Sequence, residues 1–188
     1  ALISRFNIID SKLHYIKFSG EFEGKDTRPI LDATLEVNGD KLKIYNVHFP
    51  SGFHDVSMRI DSLNVLSGLL NRHNYPTIAL GDFNVNTKED NKLNIYKSQE
   101  IYWSVAHIYA CDDCKGSFYY NYGKTWEFLD TIFLSKDRGI SYIEDTIEIY
   151  RTKSNSYNDT GKPINFNPAK KNGVSDHLPM VAKFEIIN

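Results

Sequence analysis

Between Ile30 and Phe49 the sequence permits few folds. Leu31, Ala33, Leu35 and Val37 alternate with Asp32, Thr34 and Glu36; Asn38-Gly39 then supplies the two residues that a tight hairpin turn favours, and an extended run returns from Lys41 to Phe49. A strand pair with an apolar face needs another layer to cover it. The returning strand carries Leu42, Ile44, Asn46 and His48 on one face, so apolar side chains give way to polar ones toward its C-terminal end. In this way a core strand delivers side chains to a site at the edge of a sheet.

Past Pro50, Val56, Ile60, Leu63, Leu66 and Leu70 recur at helical spacing, which predicts a helix over about 53–72 with Ser51 as its candidate N-cap. The apolar run Thr77–Leu80 predicts a strand that ends in Gly81-Asp82-Phe83-Asn84. Helix is expected again within 88–102, and strands at 117–122, 128–135, 141–150 and 180–186; Ala1-Leu2-Ile3 also reads as strand. Hairpins mixed with one helical crossover indicate an α/β protein with a mixed sheet. The 188 residues contain no repeat or linker-like segment, so residues 1–188 are expected to form a single domain.

Charge and cysteine content narrow the function classes. A net charge of −2 gives no global attraction to a polyanion, so any nucleic-acid contact has to come from a local patch. No apolar run approaches the ~18 residues of a membrane-spanning helix. Cys111 and Cys114 form one C-x-x-C pair, half of a four-ligand zinc pattern and without a thioredoxin-like context. A disulfide and a pair of free thiols both stay open, and so does the compartment.

Four polar clusters fall at the ends of expected strands: Asn46-Val47-His48, Gly81-Asp82-Phe83-Asn84, Leu129-Asp130-Thr131-Ile132 and Ser175-Asp176-His177. Each alone has an ordinary structural reading, such as an Asx turn at Asp82 or a satisfied core histidine at His48. Together they supply what metal-assisted phosphoester hydrolysis needs. Asp82 and Asp176 can bind a hard Mg²⁺ or Mn²⁺, a histidine can donate to phosphate oxygens or take a proton from water, and Asp130 can orient a histidine. Asn84 can position without adding charge. No G-x-S-x-G elbow or G-x-x-x-x-G-K-[ST] loop supports a serine hydrolase or a P-loop kinase.

The ordered motifs Asn46-Val47-His48-Phe49-Pro50-Ser51, Ala79-Leu80-Gly81-Asp82-Phe83-Asn84, Trp126-Glu127-Phe128-Leu129-Asp130-Thr131-Ile132 and Ser175-Asp176-His177-Leu178-Pro179 resemble the endonuclease/exonuclease/phosphatase superfamily, and Ala1-Leu2-Ile3-Ser4-Arg5 resembles the strand that precedes them there. The resemblance implies a four-layer αββα sandwich of two mixed β-sheets. It implies that Asp82 orients or activates the attacking water, that Asn84 holds the phosphate and that water, and that Asp130 pairs with His177 as base or transition-state donor. It also implies Asp176 at the metal and His48 at the scissile phosphate or leaving side. Asn46, Arg28 and Trp126 are candidate substrate contacts.

The resemblance is incomplete in one respect. The family's first metal-binding asparagine and its principal metal-binding glutamate lie upstream of the stretch matching Ala1, and Gln99-Glu100 falls in the wrong order to replace them. The expectation is a domain lacking its N-terminal strands, catalytically poor alone and completed by the missing part of the same domain. The segment 151–173 carries Arg151, Lys153, Lys162, Lys170 and Lys171 against the single acid Asp159, with Tyr157 and Phe166 interleaved. Such a loop could track a phosphodiester backbone and stack bases, or be an ordinary solvated loop. A nuclease is the leading expectation; a phosphodiesterase or phosphatase acting on lipid or inositol headgroups and a non-catalytic binding domain are the alternatives.

Overall fold

The computed structural model describes residues 1–111 and 114–187. Its elements are β1 (Asn7–His14), β2 (Ile30–Val37), β3 (Asp40–His48), α1 (Val56–Leu70), β4 (Thr77–Asp82), α2 (Thr87–Leu93), α3 (Ile95–Gln99), β5 (Trp103–Val105), α4 (Ala106–Tyr109), β6 (Phe118–Tyr120), β7 (Thr125–Glu127), β8 (Asp130–Ser135), β9 (Ile140–Tyr142), β10 (Glu148–Ile149), β11 (Met180–Val181) and β12 (Phe184–Ile186). One six-stranded sheet runs β1-β2-β3-β4-β8-β5, and β6-β7, β9-β12 and β10-β11 form short antiparallel pairs. Within the large sheet only β3 and β4 are parallel, because α1 is the crossover between them; the other pairs are antiparallel.

Side-chain alternation gives this sheet two buried faces. Tyr45, Val47, Ala79 and Phe133 point to the side covered by α1 and α3, where Leu63, Leu66, Leu70 and Tyr96 pack on them. Leu42, Ile44, Ile78 and Leu134 point the other way, against Tyr142, Ile140, Met180 and Ile186 from the short pairs. The layer order is therefore helices, mixed sheet, then short strands, a mixed α/β architecture consistent with the expected sandwich.

The helix at 53–72 is shorter than its periodicity suggested, and its N-cap is Asp55, whose carboxylate accepts the Ser57 N–H, rather than Ser51. Its buried stripe is also more polar than the apolar pattern indicated. Arg59, Ser62 and Ser67 are buried beside Leu63 and Leu66, and Ser67 accepts the Trp103 indole N–H and donates to the Gln99 side chain. Apolar spacing alone could not place the stripe, because these polar groups find their partners across the fold. The expected strand at Ala1-Leu2-Ile3 is absent, and extension begins at Asn7, where pairing with Glu36 of β2 becomes available. The runs 141–150 and 180–186 each break into two short strands.

Candidate functional site

Strand register builds the site. His48 lies opposite Asp82 across the parallel β3–β4 pair, and Asp82 lies opposite Asp130 across β4–β8, so three polar residues form a row at one end of the sheet. They share the face of Leu42, Ile44, Leu80 and Ile132, where the apolar layer stops. Gly81 is required just before that row. Its φ is +132°, and a Cβ there would meet the Val47 carbonyl oxygen at 2.1 Å.

His177 enters from a different direction, on the loop before β11. Buried Leu178 anchors that loop, and its N–H donates to the Ser117 carbonyl at 2.7 Å. The Ser117 hydroxyl in turn accepts the Asp130 N–H at 3.0 Å, so one buried serine holds both partners in place. His177 Nδ1 then meets Asp130 Oδ2 at 2.6 Å, and Asp82 completes a group whose ligand-capable atoms all lie within 4.8 Å of one another. His48 Nε2 stands 3.5 Å from Asp82 Oδ2.

These neighbours set the protonation states. Burial first and the adjacent Asp130 charge second push the Asp82 carboxyl up to about 6. For His177 burial works against the cation, but the Asp130 hydrogen bond and charge outweigh it and hold the imidazolium above its ordinary range. Burial, followed by the Arg28 charge, lowers His48. Exposed Arg28 thus lies close enough to bear on both His48 and Asp82.

The other expected site residues take varied positions. Asn84 adopts a left-handed conformation at φ 55° in an Asx turn whose N–H donates to Asp82 Oδ1 at 2.9 Å. Its side-chain amide donates to the Phe49 carbonyl at 3.0 Å, which ties the end of β4 to the end of β3. Asn46 donates to the Ala1 carbonyl at 3.3 Å. Asp176 is exposed and lies outside the Asp82, Asp130 and His177 group; its near neighbour is the Ser175 hydroxyl at 3.5 Å. Trp126 sits on the β6–β7 hairpin under the Arg151 guanidinium, 5.6 Å from its ring centre, and packs edge-on against Tyr119. Cys111 and Cys114 are joined as a disulfide.

Sequence reasoning overlooked Ser117 and Phe118. The Phe118 ring centre is 5.0 Å from that of His177, and these two residues also form a backbone bridge. Neither residue has a sequence signal of its own, because Ser117 acts through Asp130 and Leu178 and Phe118 through His177, partners that only the fold brings to them.

The Asp82 and Asp130 carboxylates converge beside the His177 imidazolium, a group of side chains that could hold a metal ion. Two carboxylates held side by side, one with its proton affinity raised, are the arrangement that a cation relieves.

No family model and no curated protein matches the sequence. Solved structures do match its fold. A Leptotrichia buccalis endonuclease/exonuclease/phosphatase family protein superposes with a TM-score of 0.63 at 20% identity over 97% of this chain and 63% of its own. A Bacteroides vulgatus endonuclease/exonuclease/phosphatase gives 0.63 at 18% identity over 96% and 66%. A mannosyl-6-phosphatase of Bacteroides thetaiotaomicron gives 0.55 at 17% identity over 96% and 67%. The chain thus spans about two thirds of the length of these structures. Mixed sheet, strand-end row and structural likeness together show that this chain has the endonuclease/exonuclease/phosphatase fold.

Proposed function

We propose that the chain forms part of a divalent-metal-dependent phosphoester hydrolase that cleaves phosphodiester bonds of nucleic acid by attack of an activated water. The observation that carries this reading is the Asp130–His177 hydrogen bond of 2.6 Å, set beside a second carboxylate, Asp82, whose proton affinity is raised to about 6. A histidine–aspartate pair beside a separate carboxylate separates two tasks. Asp82 orients the attacking water and takes up its proton. His177, kept cationic by Asp130, donates from Nε2 to the phosphoryl group as negative charge grows there, and its proton passes to the leaving alkoxide oxygen as the P–O bond breaks. A cation held by Asp82 and Asp130 would supply Lewis-acid stabilisation of the same phosphoryl group.

Support for a polymeric substrate comes from the wall next to His177. Phe118, Tyr119, Lys162, Phe166, Lys170 and Asp176 help line a cavity of about 580 Å³, and Lys162 Nζ lies 3.8 Å from the Tyr119 ring centre. Aromatic rings interleaved with cations suit a chain of stacked bases and phosphates. The fold neighbour named a mannosyl-6-phosphatase favours a second reading, a phosphomonoesterase acting on a small phosphorylated sugar.

The deciding experiment measures DNA binding in a His177→Ala background, with and without Lys162→Ala, Lys170→Ala and Lys171→Ala. A nuclease loses affinity and its salt dependence flattens, because fewer counterions are released per complex. An unchanged salt slope, with phosphate released from mannose 6-phosphate by the unaltered active site, would overturn the nuclease reading in favour of the phosphatase.

A further inference from the structure

The face of the large sheet away from Asp82 carries a second polar cavity, of about 440 Å³, near the opposite end of β3. It exists because α1 stops at Leu70 and leaves the ends of β1, β2 and β3 uncovered on that side. Its floor is a buried ionic network. Asp32, 2% exposed, accepts from Lys43 Nζ at 2.5 Å and is bonded to His14 Nε2 at 2.8 Å, with Lys12 Nζ at 3.7 Å; Lys43 also donates to the Thr34 hydroxyl at 2.9 Å. A buried charge pair of this kind is costly unless every polar atom is satisfied, and here it is. Asp32 is consequently occupied by its own cations.

The rim is differently equipped. Lys41 contacts the Tyr75 hydroxyl at 3.4 Å and its ring at 5.3 Å, and among the described residues neither Lys41 nor Arg72 has a carboxylate partner. Tyr45, buried, and His73 are bonded to each other at 2.8 Å and form an uncharged polar wall. The C-terminal end of α1, whose dipole would repel an anion, is met by the Arg138 guanidinium, which donates to the carbonyl of Leu70 and to that of His73 just beyond the helix. Counting Asp10, the lining holds four basic side chains against two acidic ones.

We propose that this cavity is a second ligand site, separate from the Asp82–Asp130–His177 site, that binds a small phosphate-bearing anion. Its volume is in the range of ligand pockets, about 300–1,000 Å³. Lys41 and Arg72 supply the charge-assisted hydrogen bonds, and the floor, where Lys12 and Lys43 flank the single carboxylate of Asp32, sets no net negative charge against the anion. The inference does not depend on what the chain hydrolyses.

Pyrophosphate and inorganic phosphate, titrated separately without divalent cation, are the probes, read by backbone amide shifts. Saturable shifts are expected at Lys41, Lys43, His73 and Tyr75. Lys41→Glu with Arg72→Glu should weaken binding by about tenfold or more, through the loss of two charge-assisted contacts. Lys41→Ala alone, at an exposed side chain, should weaken it less and guards against misfolding of the double variant. Shifts confined to the surroundings of His48 and His177, no saturation, or equal binding by the single and double variants and the unaltered chain would overturn the proposal.

Discussion

His177 Nδ1 and Asp130 Oδ2 lie 2.6 Å apart although 47 positions separate the residues in sequence. Their contact requires β8, the Ser117 clasp and the loop before β11 to be in place together. Asp130→Asn leaves the side chain its size but removes the charge that holds the imidazolium. The raised proton affinity of His177 should fall, and hydrolysis should drop by about 10²–10⁴, the usual contribution of acid–base catalysis. An NMR titration of the His177 ring checks the first effect and single-turnover kinetics the second. An unmoved titration would sink this assignment of the pair.

Asp82→Asn should stabilise the fold while abolishing activity. A carboxyl raised to about 6 binds its proton more tightly when folded than when unfolded. Its contribution to stability is therefore complete below the ordinary 3.8 and is lost as pH rises through about 6. At pH 7.5 without divalent cation the loss is on the order of 3 kcal/mol at most. The variant's melting temperature should exceed the parent's by a few degrees at pH 7.5, and the gain should vanish near pH 3.

His107 should set part of the acid limb of stability. Burial lowers it to about 4, and its ring stacks on Phe128 while Nδ1 pairs with the Thr131 hydroxyl at 2.9 Å. Because the folded value lies below the unfolded one, this stability is present above about 6.5 and is lost as pH falls toward 4. The loss at full protonation is on the order of 3 kcal/mol. His107→Phe keeps the stacking and removes the titration, so urea unfolding between pH 7 and 4 should show a shallower decline.

Gly81→Ala should damage stability and activity together. The added methyl has nowhere to go, since Val47 backbone occupies its place and the φ of +132° disfavours any side chain. Relief requires β3 and β4 to separate at the row that carries His48 and Asp82. A loss of several kcal/mol is expected, and chemical denaturation measures it. Wild-type stability in this variant would show that the two strands are less tightly coupled than their register implies.

What the sequence displayed and what it concealed divide along the range of the interactions. Asn38-Gly39 and the alternation on either side are local, and β2 and β3 follow from them almost residue for residue. The motif at Asp82 was legible because its Asx turn, in which the Asn84 N–H donates to Asp82, is a short-range feature. Ser117 was invisible, since its importance lies wholly in Asp130 and Leu178 reaching it. The polar stripe of α1 was hidden for the same reason: Arg59 and Ser67 break an apolar pattern, and their partners Glu89, Gln99 and Trp103 sit on other elements. Asp32 and Lys43 fall on the face of the hairpin opposite its apolar alternation, yet the fold buries both.

Arg59 has a consequence for how such a molecule can change over time. Fully buried, it pairs with Glu89 of α2 and donates to the carbonyls of Pro50, Ser51 and His54. The segment following His48 and the helix following Asn84 are thereby pinned to one guanidinium. Neither loop is a free module: an insertion in one would unseat the other. Sequence change should be tolerated better at the exposed tip of the β6–β7 hairpin, around Tyr122, where among the described residues no buried side chain makes such a tie.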